Sequence, residues 1–157
     1  MTDNANPVAL TSEKLKAIHA VWRELAAGRL GPNREAITPA RLRSKTASTF
    51  FIDVVDEGKD FRFRFAGDRV VQFMGQRLAG ELLSAHRGTP FFDGMHGLYM
   101  RCVKQRAPAT SGAVRASYPG KEFLDIEVLI MPLSDDGKTV TCLFGAFDSW
   151  PVGTHRS

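Results

Sequence analysis

Cysteine is scarce in this chain, and long apolar runs are missing. The only two cysteines are Cys102 and Cys142. A disulfide framework is therefore not expected, and reduced thiols in a cytoplasmic protein are. The longest apolar stretch, Val128-Leu129-Ile130-Met131, stops at Pro132. A spanning helix needs roughly 18 to 20 such residues, so no part of the sequence reads as one. The segment Met1 to Pro7 has neither the basic nor the apolar region of a secretory signal, and no such leader is expected.

Catalytic motifs are absent as well. The chain has no Walker-type phosphate loop, no HExxH, no GxSxG and no glycine-rich dinucleotide fingerprint. The four histidines, His19, His86, His96 and His155, fall on unrelated elements. A small cone-shaped α+β enzyme remains an alternative, because such folds set an acid and a base inside an apolar cavity without a linear motif. Asp53 and Glu127 would be its acids, although period-two alternation puts both on the outward face of their strands.

Charge is modest in amount and scattered. The net charge is +4 and the isoelectric point about 9.3, which would suit an anionic partner. The basic groupings Arg41, Arg43, Lys45 and Arg101, Lys104, Arg106 are each interrupted. They read as ordinary solvated faces rather than a nucleic-acid-binding stripe, and weak nucleic-acid binding is a lesser alternative. With 43% hydrophobic and 24% charged residues over 157 positions, one globular domain is expected, able to bury a sizeable core.

What the sequence does contain begins with Phe61-Arg62-Phe63-Arg64-Phe65-Ala66-Gly67. Strict alternation puts three phenylalanines on one face of a strand and two guanidiniums on the other. The preceding strand places Phe50, Ile52 and Val54 on one face and Asp53 on the other, and Glu57-Gly58 makes the turn between them. Upstream, Leu15, Ile18, Trp22 and Leu25 recur at helical spacing, with Thr11 or Ser12 as cap and Gly28 as stop, predicting a helix over Ser12 to Ala27. Its stripe packs either on its own sheet or on a partner's copy. Residues 29–47 read as loop with one helical turn after Thr38-Pro39.

Downstream, Val70 to Met74 predicts a short helix closed by Gly75, and Leu78 to Leu83 another short turn. Residues 93–105 predict the central helix, capped by Asp93, with Met95, Leu98, Tyr99, Cys102 and Val103 inward. Three strands follow: Thr110 to Tyr118, Lys121 to Leu133, and Lys138 to Phe147, the last two joined by a turn at Asp135-Asp136-Gly137. Residues 1–10 and 149–157 read as flexible tails around a single domain, 11–148. Two strands, a helical insertion and a three-stranded meander predict an α+β domain: a five-stranded antiparallel sheet with helices on one face.

That order of elements is the order of a PAS domain, and the residues resemble one bacterial subfamily of short single-domain PAS proteins, PAS_5. The resemblance is carried by Trp22, Gly28-Arg29, Pro32, Arg34, Ile37-Thr38-Pro39 and Leu42. It continues through Ile52-Asp53-Val54, the Phe61-to-Gly67 ladder, Gly75 and Leu78-Ala79-Gly80, and ends with Leu129 to Leu133 before Asp136-Gly137. It runs from about residue 18 to 148. Gly67-Asp68 stands where the family has Gly-Thr, and Ala79 where it has threonine, so no ligand contact through those hydroxyls carries over.

The resemblance implies strand order 2-1-5-4-3. Arg62 and Arg64 then neighbour Asp53, and Asp125 and Glu127 neighbour Arg115, each pair contributing a few tenths of a kcal/mol. It further implies a sensory or regulatory domain, not an enzyme, with no fused kinase, cyclase or DNA-binding segment. A small apolar ligand would sit between sheet and central helix, lined by Phe50, Ile52, Val54, Phe61, Phe63, Phe65, Tyr99, Val128 and Phe144. The simpler reading of Phe61, Phe63 and Phe65 is that they fill a core, and it is preferred over the pocket. Haem, if bound, would take His96 as its ligand; no flavin is expected, because the asparagine-cysteine-arginine run of flavin photoreceptors is absent. Output would pass by contact with another signalling protein, or with a second copy of the chain to form a dimer. The expected interface is Leu15, Ile18, Trp22 and Leu25, with Trp22 as its hot spot.

Overall fold

The structure, a computed structural model, describes residues 8–154. Two adjoining strands, β1 (Thr49–Val55) and β2 (Asp60–Ala66), come before the helical insertion; β5 (Leu124–Leu133) and β6 (Cys142–Pro151) follow it. Between them lie α3 (Asp68–Met74) and α4 (Pro90–Gln105), while α1 (Glu13–Ala26) and α2 (Pro39–Leu42) precede the sheet. The expected third strand is broken into two short segments, β3 (Ala109–Thr110) and β4 (Val114–Arg115), both paired with β5. The sheet is antiparallel in the order β2-β1-β6-β5-β3, with β4 on the same edge. Counting β3 and β4 as halves of one strand gives the expected 2-1-5-4-3.

The sheet differs from expectation in having both faces covered. One face packs on α3 and α4 through Ile52, Phe61, Val128, Ile130, Leu143 and Phe147. The other is covered by α1, whose Leu15, Ile18 and Trp22 pack with Leu129, Met131, Leu133 and Phe144. Strands β5 and β6 are buried along nearly their whole length. The sequence carries the physical reason: 128–131 is continuously apolar rather than alternating, as a strand buried on both sides requires. Toward the sheet edges, charged pairs stand on the strands. Arg64 and Arg34 lie 3.4 and 3.8 Å from Asp53, and Arg115 lies 3.4 Å from Asp125. Arg62 stands opposite Asp53 in register but donates to the Gly80 carbonyl.

The Phe/Arg ladder is interrupted. Phe51 pairs with Phe65 and Ile52 with Phe63, leaving Arg64 as an extra residue in a β-bulge. Phe61 is 1% exposed and Phe65 42%, because the bulge turns Phe65 toward Phe51, their ring centroids 6.1 Å apart.

Element boundaries moved for identifiable reasons. Helix α4 starts at Pro90, with Thr89 as its cap, three residues before the expected Asp93. Asp93 instead accepts from the Gly88 amide and the Arg87 guanidinium. Asp136 accepts from the Lys138 and Thr139 amides, both at 2.8 Å, closing a loop that delays β6 to Cys142. β6 then runs through 149–151, paired with β5 as far as Leu124↔Pro151, so that part of the expected tail is strand. At the other end, Val8 and Leu10 already pack under α1; residues 1–7 and 155–157 of the expected tails lie outside the described residues.

Candidate ligand cavity

A cavity of about 60 Å³ lies between the sheet and helices α3 and α4. Helical spacing explains its roof: Phe91, Met95 and Tyr99, four residues apart, share one side of α4 and line it. Val70, Phe73 and Met74 of α3 form one wall, while Phe50, Phe63, Ile126, Val128 and Phe147 form the floor. Aromatic rings brace the enclosure. Phe73 meets Phe147 edge-on at 5.4 Å, and Phe61, in the neighbouring core, meets Tyr99 edge-on at 5.2 Å.

Polar groups in the lining are few. Gln76 donates to the Tyr118 hydroxyl at 2.9 Å, and that hydroxyl donates to the Met74 carbonyl at 2.6 Å. The lining holds no carboxylate, histidine or cysteine. Burial pushes the Tyr99 phenol up, so it stays neutral through the physiological range. Such a site can enclose an apolar group; it presents no general acid or base.

Beside the cavity lies a wider groove of about 470 Å³ between α4 and the β3–β4 edge. Phe91, Met95, Ile126 and Val128 line both spaces and form the partition between them. The helical wall of the groove is low because Gly94 and Gly97 stand there, and a Cβ on either would meet no atom within 4 Å. Arg101, Thr110, Ser111, Arg115 and Ser117 bring polar and basic groups to this otherwise apolar groove.

Of the residues expected to form a pocket, Phe50, Phe63, Phe65, Tyr99 and Val128 line the cavity. Ile52, Phe61 and Val54 belong to the same core but lie beyond its lining. Phe144 is a correction: it sits on the opposite face, opposite Phe51 and Met131 in register, under α1. Sequence reasoning missed Phe73, Phe91, Phe92, Met95 and Phe147. Starting α4 at Asp93 left Phe91 and Phe92 outside it, although Thr89-Pro90 carries the cap-then-proline pattern of a helix start.

The other candidate residues are placed elsewhere. His96 lies on the flank of α4, its ring 5.8 Å from Phe61, and is not among the lining residues. Cys102 and Cys142 are both buried. Burial raises both thiols, that of Cys142 to about 11. Asp53 pairs with arginines on the face away from the cavity. Glu127, expected outward, is fully buried beneath α1 and accepts from the Thr11 and Ser12 amides, both at 2.8 Å. Neither acid reaches the cavity. The expected interface is a further correction. Leu15, Ile18 and Trp22 are buried in the chain's own core, Leu25 partly so, and the Trp22 indole N–H donates to the Pro132 carbonyl at 2.9 Å.

The family model for PAS_5, a PAS domain, matches residues 10–148. Among solved structures, the chain is similar to the PAS domain of the histidine kinase ThkA at 13% identity. That match covers 64% of this chain and 98% of the other, with a TM-score of 0.47. No curated protein sequence matches.

Proposed function

The chain belongs to the PAS domain family, and on that premise we propose that it is a sensory or regulatory module whose cavity takes up a small, largely apolar ligand. The observation that carries this reading is the cavity itself: an enclosure lined almost wholly by aromatic and aliphatic side chains. Three of its lining residues, Phe91, Met95 and Tyr99, stand on one side of a single helix. A ligand that fills the space presses on α4 as a unit, and each buried methylene contributes about 0.8 kcal/mol. Only differential affinity for two arrangements of α4 turns that contact into a signal.

Output passes by contact with another protein or with a second copy. The α1 stripe does not serve it, since its side chains are spent on the sheet. No helix among the described residues is long and apolar enough to cross a membrane. Native mass spectrometry and an absorption spectrum of the purified protein test the ligand reading. A bound small molecule that is lost when Ala66→Phe fills the cavity supports it. Ligand-free protein that also captures nothing from a library of small apolar compounds overturns it.

A further inference from the structure

Phe91, Met95, Ile126 and Val128 line both the inner cavity and the outer groove, so only these side chains separate them, and a molecule that spans both must displace one of them. The two spaces differ sharply in chemistry. The inner one is apolar throughout, apart from Gln76 and the Tyr99 hydroxyl. The outer one carries two guanidiniums, Arg101 and Arg115, with Thr110, Ser111 and Ser117, and no acidic residue in its lining.

Resting on the reading of the cavity as a ligand site, we infer that the ligand is a short amphipathic carboxylate. Its aliphatic tail fills the inner space, and its acid group lies in the groove against Arg101 and Arg115. The size of the tail follows from volume. About 10–15 Å³ of such space holds one water-sized group, so 60 Å³ holds roughly four to six carbon-sized groups. The head is set by charge. Arg101 donates to the Thr110 carbonyl, and Arg115 approaches Asp125 at 3.4 Å through its Nε. Each guanidinium has five N–H donors in a planar fork, so both keep donors for a carboxylate, the anion that fork matches. Asp125 lies beyond the groove lining and neutralises only part of this charge. Met95, with three rotatable bonds, is the flexible part of the partition and swings to admit the tail.

The test uses the full chain and straight-chain probes, followed by amide chemical shifts. Hexanoate and octanoate should bind at least about tenfold more tightly than hexan-1-ol and octan-1-ol, the margin of a charge-assisted hydrogen bond. Acetate should bind too weakly to saturate. In an Arg101→Gln/Arg115→Gln variant the acids should fall to the affinity of the alcohols, whose own affinity stays unchanged and shows the inner space intact. Gly97→Leu, whose Cβ would meet no atom within 4 Å and which extends into the groove, should weaken the acids selectively. If acids and alcohols bind alike, or the double variant leaves the acids unaffected, the carboxylate assignment is overturned while the cavity reading stands. If neither class binds, the cavity reading fails, and this inference with it.

Discussion

Ser12 and Asp148, 136 positions apart, are joined by a 2.6 Å hydrogen bond in which the serine hydroxyl donates to the buried carboxylate. The same hydroxyl accepts from the Leu15 amide and caps α1. Beside it, Glu127 accepts from the Thr11 and Ser12 amides and stands directly opposite Asp148 in register. Two buried carboxylates thus face the N-terminus of one helix, where its free amides and the nearby Lys14 ammonium, 3.5 Å from Asp148, offset their charge. They seat α1 on the sheet. Ser12→Ala removes a cap and a bond to a buried acid, so a loss of about 2–3 kcal/mol is expected. Urea denaturation should show a lower midpoint at constant slope; a loss below about 0.5 kcal/mol would contradict the seating role.

Trp22 is a core residue rather than a surface anchor. It is 7% exposed and its indole N–H is bonded to the Pro132 carbonyl. Trp22→Ala should destabilise the fold by about 3–5 kcal/mol, the usual range for deleting a large buried aromatic. Denaturation and sedimentation on the same sample separate the two roles. A stability left intact together with a lost dimer would restore the interface reading.

Gly145 supports the cavity floor from below. It pairs with Phe50, and a Cβ built on it would run into the Phe50 ring. Gly145→Ala therefore drives that ring toward the space it lines, at a cost of about 1–3 kcal/mol for overpacking. Binding of hexan-1-ol should weaken with it. Unchanged stability and unchanged binding would show that Phe50 has room to move elsewhere.

The layout of the domain was legible because its signals are local. The α1 stripe, the β1–β2 alternation and the Gly75 stop each correspond to an element of the fold. What sequence reasoning missed depends on partners. In β6 the odd and even positions are both largely apolar, so alternation cannot assign Phe144 to a face; its pairing with Met131 and Phe51 does. The bulge at Arg64 exists only relative to β1. Period two correctly set Glu127 apart from Val128, but no local signal told that α1 returns to cover that face. Within the cavity, Tyr99 was read from its helix and Phe63 from its strand, while Phe73 and Phe91 needed the packing of α3 and α4 onto the sheet.

Both thiols should be inert in the native protein. Cys102 and Cys142 are buried, and burial raises both above their ordinary value. The thiolate is the reactive form. A chromogenic disulfide reagent near pH 8 should modify neither until denaturant is added, and then both. Rapid labelling of one thiol without denaturant would show local opening of α4 or β6.

Acid should weaken the fold in two steps. His19, half-buried on α1 and stacked 6.1 Å from Trp22, is held below its ordinary 6.5 by burial and then by Arg23. His96 is lowered by burial and by Arg87, against the opposing pull of Asp60 and Asp93. A histidine lowered on folding is protonated first in the unfolded chain, so stability falls as pH drops through 6.5 toward the folded values. The carboxyls act in a later window. Asp93 is lowered by the Gly88 amide and Arg87, and Asp136 to about 2 by the Lys138 and Thr139 amides. Their contribution is complete above 3.8 and is lost below it. Thermal melts should therefore be flat from about pH 8 to 7, decline below about 6.5, and decline again below about 4. His19→Gln should shallow the first decline and leave the second in place. A melting temperature that rises between about pH 7 and 5.5 would reverse the sign assigned to both histidines.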